Sequence, residues 1–170
     1  IVGDFDEKRA KELIEAHASG QNRDVERLLD KKNGEEKTAH KVKIIEKDVK
    51  ESYLALSYPA PSKAHEDMAA LEIIEKIIGE GESSRLQEEL KNKKGLLTKG
   101  ATYLFAPKEE GLLIIFATFK GKDYETVVKG IDNEILRLLN DGPTDWEIEK
   151  AKNMIKASYI FSSETVQGRA

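Results

Sequence analysis

Residues Gly79 to Leu97, GEGESSRLQEELKNKKGLL, hold side chains from which quite different sites can be built. Gly79, Gly81 and Ser84 stand at Gly-x-Gly-x-x-Ser spacing, the kind of loop whose backbone N–H groups wrap a phosphate. A serine at the start of a helix is also a candidate nucleophile. The third reading is a joint between two helices. The phosphate reading is disfavoured because the glycines follow a helix rather than a strand, no Gly-Lys-Ser/Thr lies nearby, and Glu80 and Glu82 would repel an anion from a helix N-terminus. A serine nucleophile needs a base within hydrogen-bond reach, and the chain has only His17, His40 and His65. His17 falls on the apolar face of a helix, His40 in a polar connector and His65 in the first turn of another helix. No two are three or four residues apart, so neither His-Glu-x-x-His nor His-x-x-Glu-His is present to bind zinc. Glu88 with Glu89, and Glu109 with Glu110, read as solvated faces rather than acid/base dyads. The expectation is no catalytic residue and no metal ligand in this segment.

The elements that would hold such residues follow from composition and periodicity. The 170 residues include 28 basic and 32 acidic side chains, interspersed, for a net charge of −4. No basic face is strong enough to track a phosphate backbone, so nucleic acid is not an expected partner. The absence of cysteine removes disulfides, thiolate zinc sites and cysteine nucleophiles. The longest apolar run, GLLIIFATF, is too short to span a bilayer, so no membrane is expected. The opening IVGDFDEKRA lacks an initiator Met and reads as a segment of a longer chain. Residues 1–170 are expected to form a single α+β domain with a polar connector over 21–40.

IVGDFD reads as a short strand whose Asp6 caps a helix ending at Gly20. KVKIIEKDV and ESYLALSYPAP alternate as strands. Ser62 is placed to cap a helix running to Ile78, with Met68, Leu71, Ile74 and Ile78 inward. Ser84 with Gln87 has the pattern of a capping box, and so has Thr144 with Glu147. LLTKGATYLFA and GLLIIFATFK, joined by PKEEG, form a hairpin. From Tyr124 the series Val127, Val128, Ile131, Ile135, Leu138, Leu139 is helical; Trp146, Ala151, Met154, Ile155 and Ile160 mark the inner face of a last helix. Leu71, Ile74, Val127, Ile131, Leu138, Ile114 and Phe116 are the expected core. The order predicts an α+β fold, a mostly antiparallel sheet with helices packed on one face.

Several blocks taken together resemble a known family. VGDFD with its amphipathic helix, YLALSYPAP, ALEIIEKIIGEGESSRLQEELKNKKGL, EGLLIIFATF and GPTDWEIEKAKNMIKASYIFSSETVQGRA follow the order seen in insulinase/pitrilysin-type zinc peptidases (inverzincins), whose relatives include the mitochondrial processing peptidase. The resemblance is to the second, non-zinc repeat of the homology unit and covers nearly the whole chain. It implies that the glycine-serine joint is scaffold, with Arg85 pairing structurally. It also implies that zinc is bound upstream in the parent protein, by an inverted His-x-x-Glu-His helix and a distant Glu, with a glutamate activating the metal-bound water. The partner half of such enzymes supplies an arginine and a tyrosine in a Leu-Arg-x-x-x-x-Leu-x-Tyr stretch. Here the matching LKNKKGLLT has Lys91 at the arginine position and Thr98 at the tyrosine position. Lysine cannot reproduce a bidentate guanidinium, and threonine lacks the reach of a phenol. The resemblance therefore implies an inactive repeat that scaffolds a peptide-substrate chamber. Its partners would be the preceding zinc-bearing repeat and a second homologous half or subunit, in a soluble bacterial-type protein of the cytoplasm or periplasm. The alternative is a noncatalytic structural or interaction subunit of processing-peptidase or core-protein type.

Overall fold

The computed structural model describes residues 3–18 and 41–165. The chain divides into two compact units, Ile1–Lys47 with Val166–Ala170, and Asp48–Thr165. The first contains helix α1 (Glu7–Ala18). Asp6 caps it as the sequence implies, its Oδ1 accepting the Arg9 N–H at 2.8 Å. Gly20, the 21–40 connector and His40 lie outside the described residues, as do the first two residues of the IVGDFD strand. Residues 3–6 and 41–49 are described and are not strands. In KVKIIEKDV the Ile44–Ile45 doublet breaks the period of two, so no single face is apolar throughout.

The second unit is a three-stranded antiparallel sheet under a layer of helices, the α+β arrangement that the order of elements implies. Strand β1 (Ser52–Ala60) and strand β2 (Lys99–Phe105) flank the central β3 (Gly111–Phe119). Leu56 and Thr102 both stand opposite Ile115, which fixes the register on either side of β3. Helix α2 (Met68–Gly79), a π-helix (Leu86–Lys93), α3 (Tyr124–Asp141) and α4 (Asp145–Ser163) complete the unit. Ile77, Leu86, Leu90, Ile115 and Ile131 are each at most 1% exposed, so α2, the π-helix, β3 and α3 share one core. Among the described residues no helix is long and apolar enough to cross a membrane.

Several local expectations shift against this frame. Ser62 does not start α2. Two tight turns intervene, with His65 N–H on the Ser62 carbonyl (3.0 Å) and Met68 N–H on the His65 carbonyl (3.1 Å), and the helix begins at Met68. Leu71 and Ile74 are only half-buried, while Ile77 takes the deepest place on that helix. The Ser84–Gln87 capping box does not form. Ser84 Oγ is buried without a hydrogen-bond partner, and Gln87 Nε2 donates across to the Gly100 carbonyl at 2.9 Å. The helix after it is wound as a π-helix, ending with Lys94 N–H on the Glu89 carbonyl five residues back.

Ile114 and Phe116 belong to the opposite face of the sheet from the core. Because side chains alternate along a strand, Leu113, Ile115, Ala117 and Phe119 face the helices, and Phe116 is left 45% exposed. The stripe assigned to α4 also contains two strays. Ala151 is buried, but Trp146 and Ile160 are 59% and 57% exposed. Five and nine residues from Ala151, at about 100° per residue, they fall on the far side of the helix. The Thr144–Glu147 capping box forms as expected: Thr144 Oγ1 accepts the Glu147 N–H, and Glu147 accepts the Thr144 N–H at 2.8 Å.

Candidate functional site

The joint between α2 and β2 is organised around Arg85. Its Nε donates to Glu147 Oε1 at 2.7 Å and its Nη2 to Glu147 Oε2 at 3.0 Å, a bidentate pair with both side chains almost buried. Nη2 also reaches the Gly142 carbonyl at 3.3 Å. Gly142, with φ of +74°, ends α3 in the left-handed conformation suited to glycine. Glu147 caps α4. One guanidinium therefore ties the start of the π-helix to the end of α3 and the beginning of α4. The hydrogen bond from Arg85 is the main reason that the Glu147 carboxyl is held down at about 2, against the opposing effect of burial and with help from the Thr144 N–H.

Lys91 lies in the last turn of the π-helix and Thr98 just before β2. Both are partly exposed. Lys91 Nζ has a long contact of 3.8 Å with Glu82, whose own side chain is almost wholly in solvent. Thr98 is tightly engaged: its N–H (2.7 Å) and its Oγ1 (3.0 Å) both donate to the Thr118 carbonyl on β3. That hydroxyl proton continues the sheet ladder instead of pointing to a ligand.

The other candidates are dispersed. His17 lies in the last turn of α1 and is exposed. His65 is in the turn before α2, where its Nδ1 accepts the Asp67 N–H at 3.2 Å. The described residues contain no group of three His, Cys, Asp or Glu side chains arranged to hold a metal ion, so they do not supply the ligands that zinc needs. Glu89 accepts Lys93 Nζ at 2.8 Å, which lowers its pKa. Among the described residues the other carboxyls that move, Asp123, Glu147 and Glu149, also move down. A general acid working near neutrality needs the opposite shift. Glu88, Glu109 and Glu110 are exposed, as solvated faces should be.

Two buried carboxylates went unnoticed in the sequence. Glu134 is 2% exposed between Lys94 (3.4 Å) and Arg137 (2.8 Å), and Glu75 is nearly buried beside Lys76 at 3.1 Å. Spacing could have found Glu134, which shares the stripe of Val127, Ile131 and Leu138 on α3. Glu134 ties α3 to Lys94 at the end of the π-helix, whereas Glu75 pairs within α2.

Comparison with known proteins finds a matching family and several relatives. A family model described as the peptidase M16 inactive domain matches residues 1–155. The zinc protease PqqE of Helicobacter pylori is 28% identical over 172 residues, covering 97% of this chain and 38% of that protein. A Bacillus subtilis protein named "Probable inactive metalloprotease YmfF" is 23% identical over 169 residues, covering 99% of this chain and 39% of its own length. The crystal structure of a protease from Helicobacter pylori superposes with a TM-score of 0.75 at 26% identity, over 98% of this chain and 41% of that one. The chain thus spans about two fifths of the length of these relatives.

Proposed function

The chain belongs to the peptidase M16 inactive-domain family, and from that premise we propose that it is the non-zinc-binding repeat of a zinc-dependent metalloendopeptidase. In this reading it forms part of the wall of a peptide-substrate chamber beside a zinc-bearing repeat. Zinc, its ligands and the general base come from that other repeat, and a second homologous half or subunit closes the chamber. No residue of this segment is catalytic or binds metal. We place the whole protein in the bacterial cytoplasm or periplasm.

The observation that carries this reading is the engagement of the joint's own polar groups. Arg85 is held by Glu147 and Gly142, and the Thr98 hydroxyl by Thr118. The Arg85 guanidinium and the Thr98 hydroxyl are thus turned inward to the scaffold. Lys91, at the position matched to the family's arginine, is partly exposed as a point charge without a guanidinium's fork. The similarity to YmfF supports a second reading, a noncatalytic subunit whose upstream repeat has also lost its zinc motif.

Replacing Lys91 and Thr98 together by alanine in the full-length protein separates scaffold from active-site partner. Peptide hydrolysis is expected to stay within roughly threefold of the parent, because neither side chain stabilises an oxyanion. A loss of about a hundredfold, the size of removing one oxyanion donor, would place the pair in the active site.

A further inference from the structure

In the second unit a half-open groove of about 430 Å³ lies between α2, the end of β2 and α4. That volume falls in the range of small-molecule sites, roughly 300–1,000 Å³. Met68, Leu104, Ala106 and Ile155 line it with apolar side chains. Glu72 and Glu75 follow Met68 at intervals of four and three residues, so the three share one stripe of α2, roughly 10 Å from end to end. Lys63 stands at the rim, where its N–H donates to the Pro107 carbonyl at 3.0 Å. The charged groups of this groove are not equivalent. Lys76 Nζ pairs with Glu75 at 3.1 Å and also with Glu80, and Glu75 is nearly buried. Among the described residues the Lys63 ammonium and the Glu72 carboxylate make no ion pair or side-chain hydrogen bond, with each other or with any third group. Two free and opposite charges thus stand over one apolar floor.

We propose that this groove binds a free apolar α-amino acid, with its ammonium on Glu72, its carboxylate on Lys63 and its side chain over Met68, Leu104 and Ile155. The charges select the ligand. A simple anion would meet Glu72, a simple amine would leave Lys63 unpaired, and an uncharged apolar molecule would leave both. A zwitterion with an apolar side chain answers each group once. Charge pairs at an exposed rim orient a ligand more than they hold it, so the affinity comes mainly from the side chain and is millimolar. The site goes beyond the scaffold role of the domain and does not depend on it.

The test adds L-leucine to the full-length, chelator-treated protein and follows the methyl NMR signals of Met68 and Ile155, which report on this groove alone. Saturable shifts of both methyls are expected at millimolar L-leucine. Glu72→Gln and, separately, Lys63→Gln should each weaken binding by roughly threefold or more. Two derivatives separate the ends of the ligand. L-Leucinamide lacks the carboxylate; it should bind more weakly than L-leucine and be indifferent to Lys63→Gln. N-Acetyl-L-leucine lacks the ammonium; it too should bind more weakly and be indifferent to Glu72→Gln. Ser158→Trp, on the α4 wall, fills the groove and should weaken binding about tenfold or more. Lys63, Glu72 and Ser158 are exposed, and an unchanged urea midpoint would verify the fold of each variant. No saturable shift by about 20 mM L-leucine overturns the proposal. So does indifference to both charge variants. Either derivative binding as tightly as L-leucine also overturns it, and for L-leucinamide that result would assign the groove to the amino end of a chain. None of these outcomes depends on peptidase activity.

Discussion

At the scale of single residues, Arg85 and Glu147 matter most. The pair is almost buried, and each partner makes further bonds to a helix end. Removing one partner leaves the other charged, desolvated and unpaired, so Arg85→Ala is expected to destabilise the domain by about 3 kcal/mol in urea unfolding. The pH dependence has a definite sign. Glu147 titrates near 2 in the folded protein, below its ordinary 4.5. The folded state therefore prefers the ionised form; that stability is complete above about 4.5 and is lost as pH falls through about 2. The urea midpoint of the parent should thus fall between those values, and that of Arg85→Ala should fall less steeply. Parallel acid profiles for the two proteins would refute the assignment.

At the scale of elements, the local signals were legible where the partner groups are neighbours in sequence. Thr144 and Glu147 satisfy each other within one turn, and their capping box forms. The same pattern at Ser84 and Gln87 fails because Gln87 finds a carbonyl on β2 that no local rule could supply. Strand β3 is apolar on both faces, so its sequence does not say which set points to the helices, and Ile114 and Phe116 lie on the face away from them. Helix α4 misled for a different reason, since Trp146 and Ile160 are apolar side chains at an off-stripe angle. Packing also explains a glycine that propensity would replace. A Cβ on Gly79 would lie 2.5 Å from the Thr102 backbone nitrogen, where α2 crosses β2. Gly79→Ala is therefore expected to cost about 2 kcal/mol, although alanine favours helix. An unchanged or raised melting temperature would show that α2 and β2 can move apart freely.

At the scale of the whole molecule, the order of elements carried the fold class, because one apolar stripe per helix and a hairpin leave few ways to bury a common core. The site was legible mainly as resemblance. Lys91 and Thr98 could be placed by motif, but the engagement of Thr98 by Thr118 depends on a contact twenty residues away. The central claim, a structural repeat whose chemistry is done elsewhere, is tested most directly by metal analysis and peptide hydrolysis on the purified 170-residue chain. The account predicts no stoichiometric zinc, no chelator-sensitive cleavage of unstructured peptides and no loss of structure on adding chelator. One tightly held zinc per chain, with hydrolysis abolished by its removal, would contradict it.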